Sequence, residues 1–127
     1  MVLARFAFPG FSVGQGPGST VWQKPGSAPG ADAARFLDFV YTNTMSTLPV
    51  GKVRYGLMLR EDGFVMDDGT CARLGDTHYL ITTTTAAAGQ VMRHLDFVHQ
   101  AFCAGWDVRL ISVTETWAQF AVAGPRA

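Results

Sequence analysis

The chain is poor in the residues that most readily declare a function. Only two of its 127 residues are cysteine, Cys71 and Cys103, with no CxxC spacing and no neighbouring metal-ligand pattern. That argues against a zinc site and leaves reduced thiols in a cytoplasmic protein as the expectation. Surplus charge is missing as well: ten Lys and Arg balance ten Asp and Glu, so the basic footprint of a nucleic-acid binder is absent. No apolar run approaches the length that spans a bilayer, and charges interrupt every hydrophobic segment after Gly30. Neither nucleic acid nor membrane is an expected partner. The N-terminal apolar stretch is short, interrupted by Arg5 and stopped by Pro9 and Gly10, so it does not read as a signal peptide. Histidine is scarce too. His94 and His99 are five apart on a helix, outside the three- or four-residue spacing of paired ligands, and with His78 they read as surface residues.

What the chain does have is apolar residues, 48% of the total, in a length that supports one domain with a core of its own. The apolar content is unevenly spread. From Pro9 to Gly30, thirteen of twenty-two residues are Gly, Pro or Ser, a linker composition, and residues 1–30 are expected to be poorly ordered or non-native. Gly14-Gln-Gly16-Pro-Gly18 imitates a dinucleotide-binding loop, but Pro17 intrudes, no strand precedes it and no helix follows. Order is expected from about residue 31. Asp32 is a candidate N-cap for a short amphipathic helix with Ala33, Phe36, Leu37, Val40 and Tyr41 on its apolar face.

The stretch on which the rest is organised is Gly51 to Gly69. It alternates apolar and polar residues, breaks at Glu61-Asp62-Gly63, resumes at Phe64 and reaches the acidic pair Asp67-Asp68 before Gly69. That pattern predicts a β-hairpin with Asp-Gly in its turn, and puts two carboxylates where the second strand ends or bulges. Successive strand side chains alternate faces, so one Asp is expected to face a pocket and the other solvent or backbone. A carboxylate in a pocket can accept a proton or pair with a cationic intermediate. By spacing alone, a turn-forming Asp-Asp-Gly outweighs that reading, because Asp and Gly are the default turn residues.

Downstream, Tyr79 to Thr84 reads as a strand, and the four threonines Thr82 to Thr85 fit both a strand end and a cap for the next helix. That helix carries Val91, Leu95, Val98 and Phe102 in one stripe and should stop at Gly105. The aromatic residues Phe36, Phe39, Tyr41, Phe97 and Phe102 have helical spacing without interleaved basic residues, which predicts core rather than a stacking platform. Residues 107–114 and 117–123 read as two more strands. The fold class is therefore α+β: a largely antiparallel sheet with helices packed on one face. Nothing in the chain supplies a cover for the other face, so an exposed apolar sheet surface or a missing neighbour is expected there.

Four segments, ADAARFLDFVYTN, LPVGKVRYGLMLREDGFVMDDG, YLITTTT and WAQFAVAGPRA, resemble the aminomethyltransferase-like folate-binding domain of heterotetrameric sarcosine oxidase α subunits, within the glycine-cleavage T-protein superfamily. The resemblance covers residues 31–127. It implies a catalytic role for Asp68 near the reactive nitrogens of tetrahydrofolate, with Tyr55 in the folate pocket and Thr82, Thr83 and Thr84 bordering the pterin. It implies no metal. In such enzymes flavin subunits oxidise sarcosine to glycine, and this domain passes the released one-carbon unit to tetrahydrofolate. FAD, FMN and NAD are bound elsewhere in the complex, so the expected partners are folate, the remainder of the α subunit and the flavin-bearing subunits. Residues 1–30 do not resemble the family's preceding strand, and the family continues well beyond the final GPRA. The expectation is an N-terminal, partial aminomethyltransferase folate-binding domain, a fragment of a sarcosine oxidase α subunit that is inactive alone, with a glycine-cleavage aminomethyltransferase relative without activity of its own as one alternative. A stand-alone module that docks a partner on its exposed sheet face is the alternative from another functional class.

Overall fold

A computed structural model describes residues 3–6, 30–114 and 123–125. The elements follow in the order β1 (Leu3–Phe6), α1 (Ala33–Val40), β2 (Val53–Leu59), β3 (Val65–Arg73), β4 (Tyr79–Thr82), α2 (Ala88–Phe102) and β5 (Leu110–Ser112). The five strands form one sheet in the order β2-β3-β4-β1-β5, and every pairing is antiparallel. β1 was not anticipated. It lies within residues 1–30, which were expected to be poorly ordered or non-native, yet pairs with both β4 and β5. Residues 7–29, on which most of the expectation for that region falls, lie outside the described residues, as does most of the strand expected at 117–123.

The β2-β3 hairpin forms where the alternation put it. Gly63 takes a positive φ of 82°, which its missing Cβ makes inexpensive, and its N–H donates to the Arg60 carbonyl at 2.9 Å. Asp62 accepts the Phe64 N–H at 3.1 Å. That bond, chiefly, holds the Asp62 carboxyl below the usual carboxylate range. The second strand does not stop at the acidic pair, however. β3 runs on through Gly69 to Arg73, because Thr70, Cys71 and Ala72 still have partners on β2 and β3 also pairs with β4. The irregularity lies just before the pair: Met58 opposes Asp67 and Leu59 opposes Val65, leaving Met66 as the extra residue of a bulge.

Both helices cover one face of this sheet. Phe36, Leu37, Val91, Leu95 and Val98 from the helices meet Met58, Cys71, Tyr79 and Ile81 from the strands in a single core. Leu95 and Ile81 have no exposed surface. Four details depart from expectation. Asp32 precedes α1 but makes no side-chain cap; its carboxylate instead accepts the Asp107 N–H at 2.9 Å, tying the start of α1 to the segment before β5. The threonine run does not cap α2, whose N-terminal flank is Ala87. Phe39, Phe97 and Phe102 are exposed, not core. Phe102 is the last residue of α2, and its exposed ring packs on those of Phe39 and Phe97. His99 is half-buried rather than on the surface, its ring edge-on to Phe36 and its Nε2 3.3 Å from the Trp106 carbonyl.

Candidate functional site

Alternation along the hairpin separates the two carboxylates. Met58, Asp67 and Cys71 point to the helix side and are buried; Tyr55, Leu57 and Asp68 lie on the other side of the sheet. There Asp68 stands directly opposite Leu57, and Tyr55 opposite Thr70. Thr82, on β4, completes the row: its hydroxyl lies 2.9 Å from the Thr70 hydroxyl and accepts the Thr70 N–H at 2.9 Å. Tyr55, Thr70 and Thr82 thus form a band across three strands with Asp68 beside it. Tyr55 is 57% exposed and Leu57 36%, and Asp68 is half-buried. This outward face combines an accessible aromatic ring, aliphatic surface, hydroxyls and a carboxylate within a few side-chain spacings.

The structure brings Tyr55, Asp68 and Thr82 together and sets Thr83 and Thr84 apart from them. Thr83 is buried, with its hydroxyl 3.1 Å from the Thr84 carbonyl. Thr84 directs its hydroxyl to Asp67 at 2.7 Å and its N–H to the same carboxylate at 3.1 Å. Asp67 is 5% exposed, and a buried carboxylate needs such donors to offset the water it has lost. Two residues of this neighbourhood were not singled out in the sequence. Thr70 follows Gly69 where the strand was expected to have ended. Asp67 was visible only as the other member of the pair. Alternation shows that the two Asp residues differ in facing but not which of them is buried.

Behind the sheet, burial keeps the proton on Cys71, Tyr41 and Tyr79. Burial pushes the Cys71 thiol up to about 12, with Arg54 opposing weakly. Burial also raises the Tyr41 hydroxyl, helped by Cys71 and Asp67, and that of Tyr79. These groups fill the core and do not face the Tyr55 side.

This arrangement has clear relatives. The family model for the GCVT N-terminal domain matches residues 27–127. The chain belongs to the GCVT N-terminal domain family. Among curated proteins it is 58% identical over 98 residues to the sarcosine oxidase subunit alpha of Rhizobium meliloti, a match over 77% of this chain and 10% of that one. It is 34% identical over 98 residues to the aminomethyltransferase of Corynebacterium aurimucosum, covering 77% of this chain and 25% of the relative. The crystal structure of the glycine cleavage system aminomethyltransferase T from Bartonella henselae superposes with a TM-score of 0.62 at 19% identity, over 87% of this chain and 24% of that one. The last likeness establishes the α+β fold of a GCVT N-terminal domain. The chain spans about a tenth of the length of the sarcosine oxidase subunits it matches and about a quarter of the aminomethyltransferases. Among the described residues, no helix is long and apolar enough to cross a membrane.

Proposed function

We propose that this GCVT N-terminal domain forms one wall of a reduced-folate site in a sarcosine oxidase α subunit. The whole activity would be oxidative demethylation of sarcosine to glycine, with transfer of the one-carbon unit to tetrahydrofolate. The observation that carries this reading is the gathering of Tyr55, Asp68, Thr70 and Thr82 on the open face of the sheet. The residues present fit the group. A pterin is flat and edged with donors and acceptors; the exposed Tyr55 ring and Leu57 offer apolar surface, and the hydroxyls with Asp68 offer polar partners. Tetrahydrofolate supplies the nitrogens that accept the one-carbon unit. Asp68 would hold or take up a proton at its carboxylate oxygens and favour positive charge close by. Thr82 and Thr70 would orient the ligand edge. Flavin chemistry belongs to other parts of the assembly, so the flavin-bearing subunits and the remainder of the α subunit are the proposed partners.

One wall binds weakly and does not catalyse, because near-attack geometry requires the ligand to be held from several sides. The test is a titration of the isotopically labelled chain with 5-formyltetrahydrofolate, followed by NMR. Weak binding with shifts centred on Tyr55, Asp68, Thr70 and Thr82, and no one-carbon transfer, is the expected outcome. Asp68→Asn should change that weak affinity little. Tight binding abolished by Asp68→Asn would overturn the one-wall reading, and shifts confined to the helix side would overturn the site.

A second reading has its own observation. Val53, Tyr55, Leu57 and Leu59 lie in an exposed row along the edge strand β2, which suits a surface that docks a partner chain. A folate-silent dimer in a solution mass measurement would favour it.

A further inference from the structure

β4 leaves the sheet at Thr82 in an unusual way. The Thr70 N–H is taken by the Thr82 hydroxyl, and the Thr82 carbonyl lies over Gly69, so close that a Cβ on Gly69 would overlap it. Two residues later the backbone is on the helix side of the sheet, where both the N–H and the hydroxyl of Thr84 are held by Asp67. The chain therefore leaves the sheet over β3 on the Asp67 side, passing the strand's one side-chain-free position. Nothing in the folate wall itself uses Asp67, which points away from it.

We propose that Asp67 is a positioning residue for that wall. By gripping Thr84 from below, it fixes where β4 turns off the sheet and so keeps the Thr82 hydroxyl on Thr70, beside Asp68. The inference rests on the folate reading for its consequence but not for its geometry. The carboxylate is suited to the role because each of its oxygens accepts from Thr84: Oδ1 takes the hydroxyl at 2.7 Å and Oδ2 the N–H at 3.1 Å. Two bonds from one residue to one carboxylate set both the position and the rotation of that residue, and bonds to a charged acceptor are the stronger kind. An amide has one acceptor oxygen for the Thr84 N–H, meets the hydroxyl only by donating to it, and lacks the charge that strengthens both bonds. Asp67-Asp68-Gly69 then works as a unit in which the first residue anchors β4 from behind, the second faces the ligand, and the third leaves room for β4 to pass.

The experiment compares Asp67→Asn, Thr84→Val and Thr84→Ser in the full chain. Amide shifts and hydrogen exchange of Thr70 and Thr82 are read without ligand, and 5-formyltetrahydrofolate affinity and Tm are read alongside. Asp67→Asn and Thr84→Val should displace the Thr70 and Thr82 signals and weaken folate affinity about tenfold, whereas Thr84→Ser, which keeps both donors, stays within about twofold of the parent. Thr84 is exposed, so its variants report even if Asp67→Asn fails to fold. Unmoved Thr70 and Thr82 signals in Thr84→Val would overturn the proposal. So would an affinity loss that Thr84→Ser does not restore, or one that only tracks Tm. If the parent chain itself ignores folate, the functional reading falls, and the ligand-free signals still decide whether Asp67 positions Thr82.

Discussion

The two faces of the sheet are built from alternate residues of the same strands, yet they solve opposite problems. On the helix side Met58, Cys71, Tyr79 and Ile81 are sealed under α1 and α2. On the other side Tyr55, Leu57, Asp68, Thr70 and Thr82 keep part of their surface open. A residue step along β3 moves from one regime to the other, as Asp67 and Asp68 do. The helix side should hold most of the stability, and the open side should hold the recognition.

The sharpest way to break this contrast is Leu95→Ala. Leu95 is fully buried against the strands, and its truncation should cost roughly 2 to 5 kcal/mol, as transfer and cavity terms add. Urea unfolding measures it. A loss below half a kilocalorie would show that α2 does not seal the helix side. Gly69→Ala comes next. The obstacle is the backbone carbonyl of Thr82 rather than the end of a flexible side chain, so β4 must separate from β3, at a cost of about 3 kcal/mol. Unlike Leu95→Ala, it should also displace Thr82 from Thr70.

A smaller effect comes from pH. Burial holds the Cys71 proton up to about 12 in the folded chain, whereas the unfolded thiol releases it near its ordinary value. Between those values the unfolded state binds fewer protons. The stability this group contributes is therefore complete below the unfolded pKa and falls as pH rises through the window, by up to about 1.4 kcal/mol per pH unit. Tyr79 and Tyr41, raised in the same direction, add to the fall at higher pH. Unfolding series at pH 7.5, 9 and 10 should give a flatter decline for Cys71→Ala than for the parent. Parallel declines would mean that the thiol is hydrated and the helix side is not sealed.

The contrast also explains what could be read in the sequence. The hairpin, its Asp62-Gly63 turn, the Val91, Leu95, Val98 stripe and the one-sided helix packing were all legible, because local periodicity and turn chemistry determine them. What was not legible depends on long-range pairing. Asp32 looks like a cap until Asp107, 75 residues away, supplies its N–H. The threonines look like a helix cap until Asp67 takes Thr84. Helical spacing placed Phe102 in the core, but at the last residue of α2 its ring packs on Phe39 and Phe97 instead. β1 has too short a pattern to announce that it fits between β4 and β5. For the candidate site, alternation showed that Asp67 and Asp68 face opposite ways but not which is buried, and the separation of Thr84 from Thr82 needed the path of the backbone over Gly69.

The smallest expected effect tests the open face directly. Leu57 is 36% exposed, opposes Asp68 and has no helix above it among the described residues, so Leu57→Ser should change stability by no more than about 0.5 kcal/mol. That small number is informative because Leu57 and Met58 are adjacent on one strand, and Met58 is 2% exposed. Truncating Met58 to Ala should cost several times more, roughly 2 kcal/mol or above. The two readings of the open face then separate without any activity assay. If the face receives folate, Leu57→Ser weakens 5-formyltetrahydrofolate binding and leaves the mass in solution unchanged. If it docks a second chain, the same substitution shifts the population toward monomer, and stability becomes dependent on protein concentration. Equal costs at Leu57 and Met58, at every concentration, would mean that both faces are packed and that the contrast between them is wrong.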